Sequence, residues 1–292
     1  MFSPTAKRKV FFTISAILVA ISIVFLIING LNFGIDFTGG TTLQFDLGKT
    51  KYTATVESEL RDIVKKEAGV KDITIQKIGE NGASIKTAEL SNEKTDAVIE
   101  AVKAKYNLKQ KNVLANEKVS GTVSGRLIGD SFKAILLAVI LMLVYISIRF
   151  DFQSGTCAVL ALAHDVIIML GFYAIFGLTV NTGFIAAVLT ILGYSINATI
   201  IVFDRVRENR RTMKKATAND IADDAIRHSY FRAINSSITT LLTIGVLYIM
   251  GVDSIKEFAL PIIVGVVAGT YSSLFIAAPF WAWWKNPAKK KA

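Results

Sequence analysis

Six long apolar runs limit what this chain can fold into. A helix needs roughly 20 apolar residues to cross a hydrocarbon core of about 30 Å. Runs that approach or exceed this length occupy residues 10–29, 132–148, 156–176, 183–203, 234–250 and 258–284. With 52% apolar and 19% charged residues, the chain has too little charge to cover a water-soluble monomer. The sequence therefore predicts an α-helical polytopic membrane protein with six transmembrane helices.

The first apolar run follows three cations, as the core of a secretory signal peptide does. The cations are Lys7, Arg8 and Lys9. The run is longer than a typical signal core, and residues 27–30 offer no small-residue cleavage site. We interpret it as a retained membrane anchor.

The distribution of Lys and Arg predicts the orientation. Sixteen of them precede helix 1, follow helix 6, or lie between helices 2 and 3 and between helices 4 and 5. The opposite connections, 177–182 and 251–257, contain one Lys. Because basic loops stay in the cytoplasm, we predict four parts. They are a cytoplasmic N-terminus with helix 1 (1–30), an extracytoplasmic domain (31–125), helices 2–6 with a basic cytoplasmic loop at 204–233 (126–284), and a basic cytoplasmic tail (285–292).

The net charge of +10 has a topological explanation. Residues 31–125 contain 14 Lys and Arg against 13 Asp and Glu, so the excess charge belongs to the cytoplasmic segments. Such segments are attracted to anionic membrane lipid. Nucleic-acid binding is therefore not predicted.

The extracytoplasmic segment has the periodicity of a small α+β domain. Alternating apolar residues predict strands at 41–47, 72–78, 83–87 and 111–119, and helical spacing predicts helices at 53–68 and 91–106. Gly69 is placed to end the first helix and Ser91 to cap the second. The order is βαββαβ, which is typical of the ferredoxin-like split-βαβ fold.

Few residues in the chain are suited to covalent or metal chemistry. The sequence has no phosphate-binding loop, HExxH, CxxC or GxSxG motif. It contains two histidines, His164 and His228, and one cysteine, Cys157. We therefore predict neither an enzyme nor a cofactor. The remaining candidates are polar groups inside the spans, where each is costly and needs a reason.

His164 and Asp165 lie near the middle of helix 3. One interpretation is a polar pair that forms hydrogen bonds to a neighbouring helix. The other is a proton or ion relay, because a carboxyl group in a low-dielectric environment can titrate near neutral pH. The sequence leaves both open.

Polar residues also interrupt helices 4 and 5. In helix 4, Asn197 shares a face with Tyr194, which interhelical hydrogen bonding alone would explain, and Asp204-Arg205 follow at its cytoplasmic end. Arg232 stands at the entrance of helix 5, where an arginine usually extends to the lipid headgroups. In helix 6, Gly265 and Gly269 form a small-xxx-small pattern suited to close helix packing.

Three motifs resemble the SecF family of protein-export membrane subunits, within the resistance-nodulation-division superfamily. The first is GIDFTGGT just outside helix 1, which contains Gly34, Asp36, Thr38, Gly39 and Gly40. The second is LGYSIN at 192–197, continuing as VFDRVREN at 202–209, and the third is RAINSSITTLL at 232–242. With six spans and one outer domain, the resemblance covers essentially the whole chain.

The resemblance implies a multi-pass subunit of the bacterial inner membrane that works with SecD beside the SecYEG channel. It implies that the complex uses the proton-motive force to help move unfolded exported polypeptide outward. A non-conducting scaffold or holdase subunit is the alternative. A multidrug exporter of the same superfamily is disfavoured, because one small outer domain leaves little room for a drug-binding porter.

One position departs from the family pattern. The family has an acid directly after Asn197, whereas this chain has Ala198. The resemblance implies that this acid, with an arginine matching Arg232, carries the proton, and alanine does not titrate. Either the residue was engineered, which the intact flanking motif favours, or the chain relies on other acids, such as Asp165 or one from SecD. We predict that Arg232 lies within reach of the residue-198 face.

The glycine-rich motif has a structural interpretation. Gly34, Gly39 and Gly40 permit tight turns, and Asp36 or Thr38 can cap them through side-chain hydrogen bonds. We therefore predict that Asp36 has a structural role and not a chemical one.

Overall fold

The computed structural model describes residues 3–251 and 253–285. Its chain divides into two compact units. The small domain is Phe33–Phe132, and the membrane unit is formed by the residues before and after it. Lys289, Lys290 and Lys291 of the predicted basic tail lie outside the described residues.

The secondary structure elements follow one another in this order: α1 (Arg8–Ile28), β1 (Asn32–Phe33), α2 (Ile35–Thr38), β2 (Gly40–Asp46), α3 (Ala54–Ala68), β3 (Ile73–Ile78), β4 (Gly82–Thr87), α4 (Asn92–Tyr106), a 3₁₀ turn (Gln110–Asn112), β5 (Val113–Val119), α5 (Gly121–Arg149), α6 (Phe152–Phe176), β6 (Thr179–Val180), α7 (Thr182–Thr212), α8 (Ala218–Met250), α9 (Asp253–Ser272), a π-helical segment (Ser273–Ala277) and α10 (Ala278–Lys285).

Among the described residues, six helices are long and apolar enough to cross a membrane, in agreement with the predicted number. They are α1, α5, α6, α7, α8 and the continuous helix formed by α9, the π segment and α10. The most buried of them are α6, α7 and the last helix, whereas α1, α5 and α8 have few buried residues in their apolar stretches. The membrane unit therefore has a three-helix centre with the other helices around it.

Glycines allow the central helices to approach closely. A Cβ atom added to Gly265 of α9 would lie 2.6 Å from Cγ1 of Ile191 in α7. One added to Gly269 would lie 3.0 Å from Cβ of Ser195. The close packing predicted from these two glycines is therefore confirmed.

Most of the segment 204–233 is helical, and its predicted place as a basic cytoplasmic connection stays a prediction. Helix α7 continues to Thr212 and α8 already begins at Ala218. Thr217 caps α8 in a capping box with Asp220, and this reciprocal bonding satisfies N–H groups at the start of the helix. The predicted spans stop where the apolar residues stop. The helices continue beyond those points, because the polar residues that follow are good helix formers and because α8 has its own N-terminal cap.

The small domain has the predicted element order βαββαβ, formed by β2, α3, β3, β4, α4 and β5. Its antiparallel sheet has the strand order β3-β4-β2-β5. Leu43, Phe45 and Ile85 alternate with polar residues and are buried with the apolar residues of α3 and α4. Thr53 and Ser91 cap the two helices through their side chains, and Gly69 ends α3 in the left-handed conformation.

Candidate functional site

A chain of polar side chains crosses the buried interior of the membrane unit. Its centre is Asp165 of α6, which is 1% exposed. Ser195 of α7 and Ser272 of α9 both donate hydrogen bonds to Asp165 Oδ2, at 2.5 and 2.9 Å. The other carboxylate oxygen, Oδ1, lies 3.0 Å from Nδ1 of His164.

His164 extends this cluster to α1. Its Nε2 lies 2.9 Å from the hydroxyl of Ser15. Because a carboxylate oxygen accepts, a neutral ring paired with ionised Asp165 donates from Nδ1 and accepts from Ser15 at Nε2. We call Ser15, His164, Asp165, Ser195 and Ser272 the Asp165 cluster. It joins α1, α6, α7 and α9, and all five residues are buried.

Further hydroxyl groups continue from the cluster towards α8. Ser273 contacts Thr199 of α7 at 2.9 Å and donates to the carbonyl of Gly269. Ser237 of α8 accepts from Tyr194 at 3.0 Å and lies 2.6 Å from Thr270 of α9. Each buried hydroxyl thus has a partner, as burial in an apolar environment requires.

The residues of the predicted proton-carrying pair lie on helix surfaces. Asn197 and Arg232 are exposed, and Ala198 is half-buried. Arg232 makes no hydrogen bond or ion pair with the described residues, and Asp165 has its own partners. The pairing of position 198 with Arg232 therefore stays a prediction.

Arg232 begins an exposed polar stripe on α8. The stripe continues along one helical face at spacings of three and four residues and contains Arg232, Asn235, Ser236, Thr239 and Thr243. Thr239 and Thr243 donate to carbonyls of α8 itself, but lipid tails offer no hydrogen-bond partner to the guanidinium of Arg232 or the amide of Asn235. The stripe therefore has the composition of a surface that packs against another protein.

Asp204 and Arg205 lie in the C-terminal part of α7. Asp204 accepts a hydrogen bond from Nη2 of Arg149 at 2.7 Å, which joins α7 to the end of α5. Arg205 pairs with Glu208 one turn later on the same helix. Both pairs are partly exposed, so their contribution to stability is small.

The glycine-rich motif forms a tight turn at the start of β2. The hydroxyl of Thr38 lies within hydrogen-bond distance of two carbonyl oxygens, those of Gly34 and Gly39, and donates to one of them. Gly39 and Gly40 have φ values of +69° and +121°, which favour glycine. Asp36 lies in the short helix α2 and is half-buried.

Sequence reasoning identified Asp165 and His164 but missed two of their partners. Ser15 and Ser272 were not singled out, because serine in an apolar run is common in membrane helices. Their signal is weak but physical, since each is a hydroxyl group inside a predicted span, although Thr13 and Ser22 share the run of Ser15 and Ser273 lies beside Ser272.

Two family patterns match this sequence. The C-terminal pattern of the protein export membrane protein SecD/SecF matches residues 98–287, and the SecD/SecF GG motif matches residues 24–51. The protein translocase subunit SecF of Petrotoga mobilis is 35% identical over 94% of this chain and 92% of its own length. The protein translocase subunit SecDF of Bacillus subtilis is 34% identical, and the match spans 38% of that longer protein.

A solved structure has the same fold. The crystal structure of SecDF from Thermus thermophilus, described as a translocon-associated membrane protein, superposes with a TM-score of 0.86 at 32% identity. The match covers 98% of this chain and 39% of the SecDF chain. The chain therefore belongs to the SecD/SecF family of protein-export membrane proteins and is a multi-pass accessory subunit of Sec protein translocation.

Proposed function

We propose that this chain couples the proton-motive force to the outward movement of translocating polypeptide, and that the Asp165 cluster holds the transferred proton. The observation that carries the proposal is a carboxyl group 1% exposed among membrane-spanning helices, held by groups from three of them and joined through His164 to a fourth. An ionisable group at such a position is costly and indicates a function.

The cluster has two arrangements that differ by one added proton. In the first, Asp165 is ionised and the neutral ring of His164 donates a hydrogen bond to it from Nδ1. When a proton is added at Nε2 and the Nδ1 proton passes to Oδ1, Asp165 becomes neutral; its O–H then donates a hydrogen bond to Nδ1, and the neutral ring donates from Nε2 to Ser15. Because Ser15 is on α1 while Ser195 and Ser272 are on α7 and α9, protonation changes hydrogen bonds between helices.

We propose that SecD is the partner that covers the α8 stripe. The Bacillus subtilis and Thermus thermophilus relatives are named SecDF, and each continues well beyond the region that matches this chain. An arginine and an amide on an uncovered face support a protein partner there. Position 198 would then face this partner, which can supply the acid that Ala198 lacks.

The remaining parts of the proposal follow from topology. The basic residues support cytoplasmic termini, contact with anionic lipid and an extracytoplasmic small domain. The βαββαβ order and the strand order support a ferredoxin-like fold for that domain, and the SecF relatives support an inner-membrane location. We propose that this domain and SecD act on unfolded polypeptide leaving SecYEG, without enzymatic chemistry. A non-conducting scaffold or holdase is the second candidate, and Ala198 favours it.

Proton flux in vesicles that contain this chain and SecD tests the proposal. The chain with Ala198 should conduct under a proton gradient, and Asp165→Asn, which keeps the size of the side chain, should abolish the flux. Glu208→Gln is the matched control, because it removes an exposed carboxylate from α7. Flux that appears only in Ala198→Asp would instead assign the proton to position 198 and make the present chain a scaffold.

A further inference from the structure

The turn between α5 and α6 contains a basic cavity that the proposed proton chemistry does not use. Its volume is about 210 Å³. Three arginines line it, Arg149 from α5 and Arg207 and Arg210 from α7, and Asp151 is its acidic lining residue. The cavity therefore favours an anion.

The carboxylate of Asp151 is already matched by other groups. It accepts a hydrogen bond from Ser154 at 2.6 Å. Nη1 of Arg210 lies 3.5 Å from it and Nζ of Lys285 lies 3.8 Å from it. Two cations thus accompany this single acid, so the cavity keeps a positive excess.

Arg207 is a lining cation without a partner among the described residues. It is exposed and makes no hydrogen bond or ion pair with the described residues. Arg149 uses Nη2 for Asp204, so it keeps other N–H donors for a ligand. A phosphate group accepts from several guanidinium groups at once, which is the geometry that arginine favours.

Apolar surface adjoins the basic cavity. A second cavity of about 310 Å³ lies between α5 and α6, lined by apolar residues that include Ile146 and Val159. Asp151 lines both cavities. Ile148 and Phe152, on either side of the turn, are 83% and 81% exposed. An anion seated here thus has apolar surface for a hydrocarbon chain directly beside it.

We infer that the α5–α6 turn binds one anionic phospholipid, with its phosphate against Arg207, Arg149 and Arg210 and an acyl chain along the apolar cavity between α5 and α6. The inference uses the proposed topology, which places this turn in the cytoplasmic leaflet, but none of the proposed proton transfer. Charge selects an anionic headgroup, and the apolar cavity selects a lipid over a small soluble phosphate.

Native mass spectrometry of the full chain in detergent micelles tests this site. Phosphatidylglycerol should bind more tightly than phosphatidylcholine with the same acyl chains. Arg207→Gln should weaken phosphatidylglycerol binding about fivefold, as expected for one arginine at a lipid surface. Arg211→Gln is the matched control, since Arg211 is equally exposed on α7 but does not line the cavity, and it should leave binding unchanged.

Three results would overturn the inference. They are equal binding of the two lipids, an equal loss in the two variants, and displacement of phosphatidylglycerol by glycerophosphoglycerol, which carries the headgroup without acyl chains. The last result would assign the cavity to a small phosphate. Lipid binding is measured without a proton gradient. Its result can therefore be interpreted even if the vesicle experiment shows no proton flux.

Discussion

Gly40 shows how a single missing side chain decides the pairing of two strands. A Cβ atom at this position would lie 2.2 Å from the carbonyl oxygen of Thr87 in β4, and the φ value of +121° is itself unfavourable for other residues. We expect Gly40→Ala to destabilise the small domain by about 2 kcal/mol or more. Hydrogen exchange of β2 and β4 in the full chain measures this loss of protection.

Gly79 provides the control for that substitution. It also has a positive φ value, +57°, but an added Cβ atom would have no neighbour within 4 Å. Gly79→Ala should therefore cost only about 1 kcal/mol. Equal effects of the two substitutions would show that backbone conformation, and not the contact with Thr87, makes Gly40 necessary.

Tyr52 gives the small domain a pH dependence at alkaline pH. Burial, and then the hydrogen bond that its hydroxyl donates to Glu57, raise the pKa of Tyr52 to about 12. Folding therefore favours the neutral phenol, so this stabilisation is complete below about pH 10 and is lost as the pH rises towards 12. We expect Tyr52→Phe to remove one tyrosinate transition near pH 12 in the absorbance at 295 nm.

Glu57→Gln distinguishes the two causes of this shift. The amide keeps the side-chain size but removes the negative charge that opposes ionisation of the phenol. The pKa of Tyr52 should then fall below about 12. An unchanged transition would show that burial alone sets it.

The packing of α9 against α7 depends on the absence of a side chain at Gly265. Gly265→Ala would place its Cβ atom 2.6 Å from Ile191 and 2.9 Å from Met169. Forcing an extra methyl group into such packing costs about 1–3 kcal/mol. We expect a lower thermal unfolding temperature of the full chain in detergent.

Gly245 of α8 is the matched helical glycine for this experiment. An added Cβ atom would have no neighbour within 4 Å there. Because alanine is the better helix former by about 1 kcal/mol, Gly245→Ala should keep or raise the unfolding temperature. A similar decrease in both variants would contradict a packing role for Gly265.

The elements of the small domain were predictable because local signals agree in that part of the chain. Alternating apolar residues, Thr53 and Ser91 as caps, and Gly69 as a stop all indicate the same boundaries. The polar ends of α7 and α8 were missed because a hydropathy run ends where charge begins, although the helix continues. Ser15, which contacts His164, and Ser272, which contacts Asp165, were missed because they come from distant helices and only the packing brings them to the cluster.

At the scale of the whole molecule, the uncovered α8 stripe predicts where a protein partner binds. We expect the cysteine of the Asn235→Cys variant, in membranes, to react with a membrane-permeable maleimide when this chain is alone. The presence of SecD should protect it from this reaction. Leu137→Cys on α5 is the control, because Leu137 is 58% exposed on an apolar helix surface. Protection of position 137 instead of 235 would place the partner on α5.

The π-helical segment gives the last span a tolerance to changes in length. A π turn holds about one residue more than an α turn, and the segment lies between Ser272, which contacts Asp165, and the fully buried Trp281. Deletion of one residue in the segment would convert the π turn into an α turn. Ser272 before it and Trp281 after it would still face the interior. The same loss at Val267 would rotate everything that follows by about 100°. A family alignment should therefore place single-residue gaps in this span at 273–277.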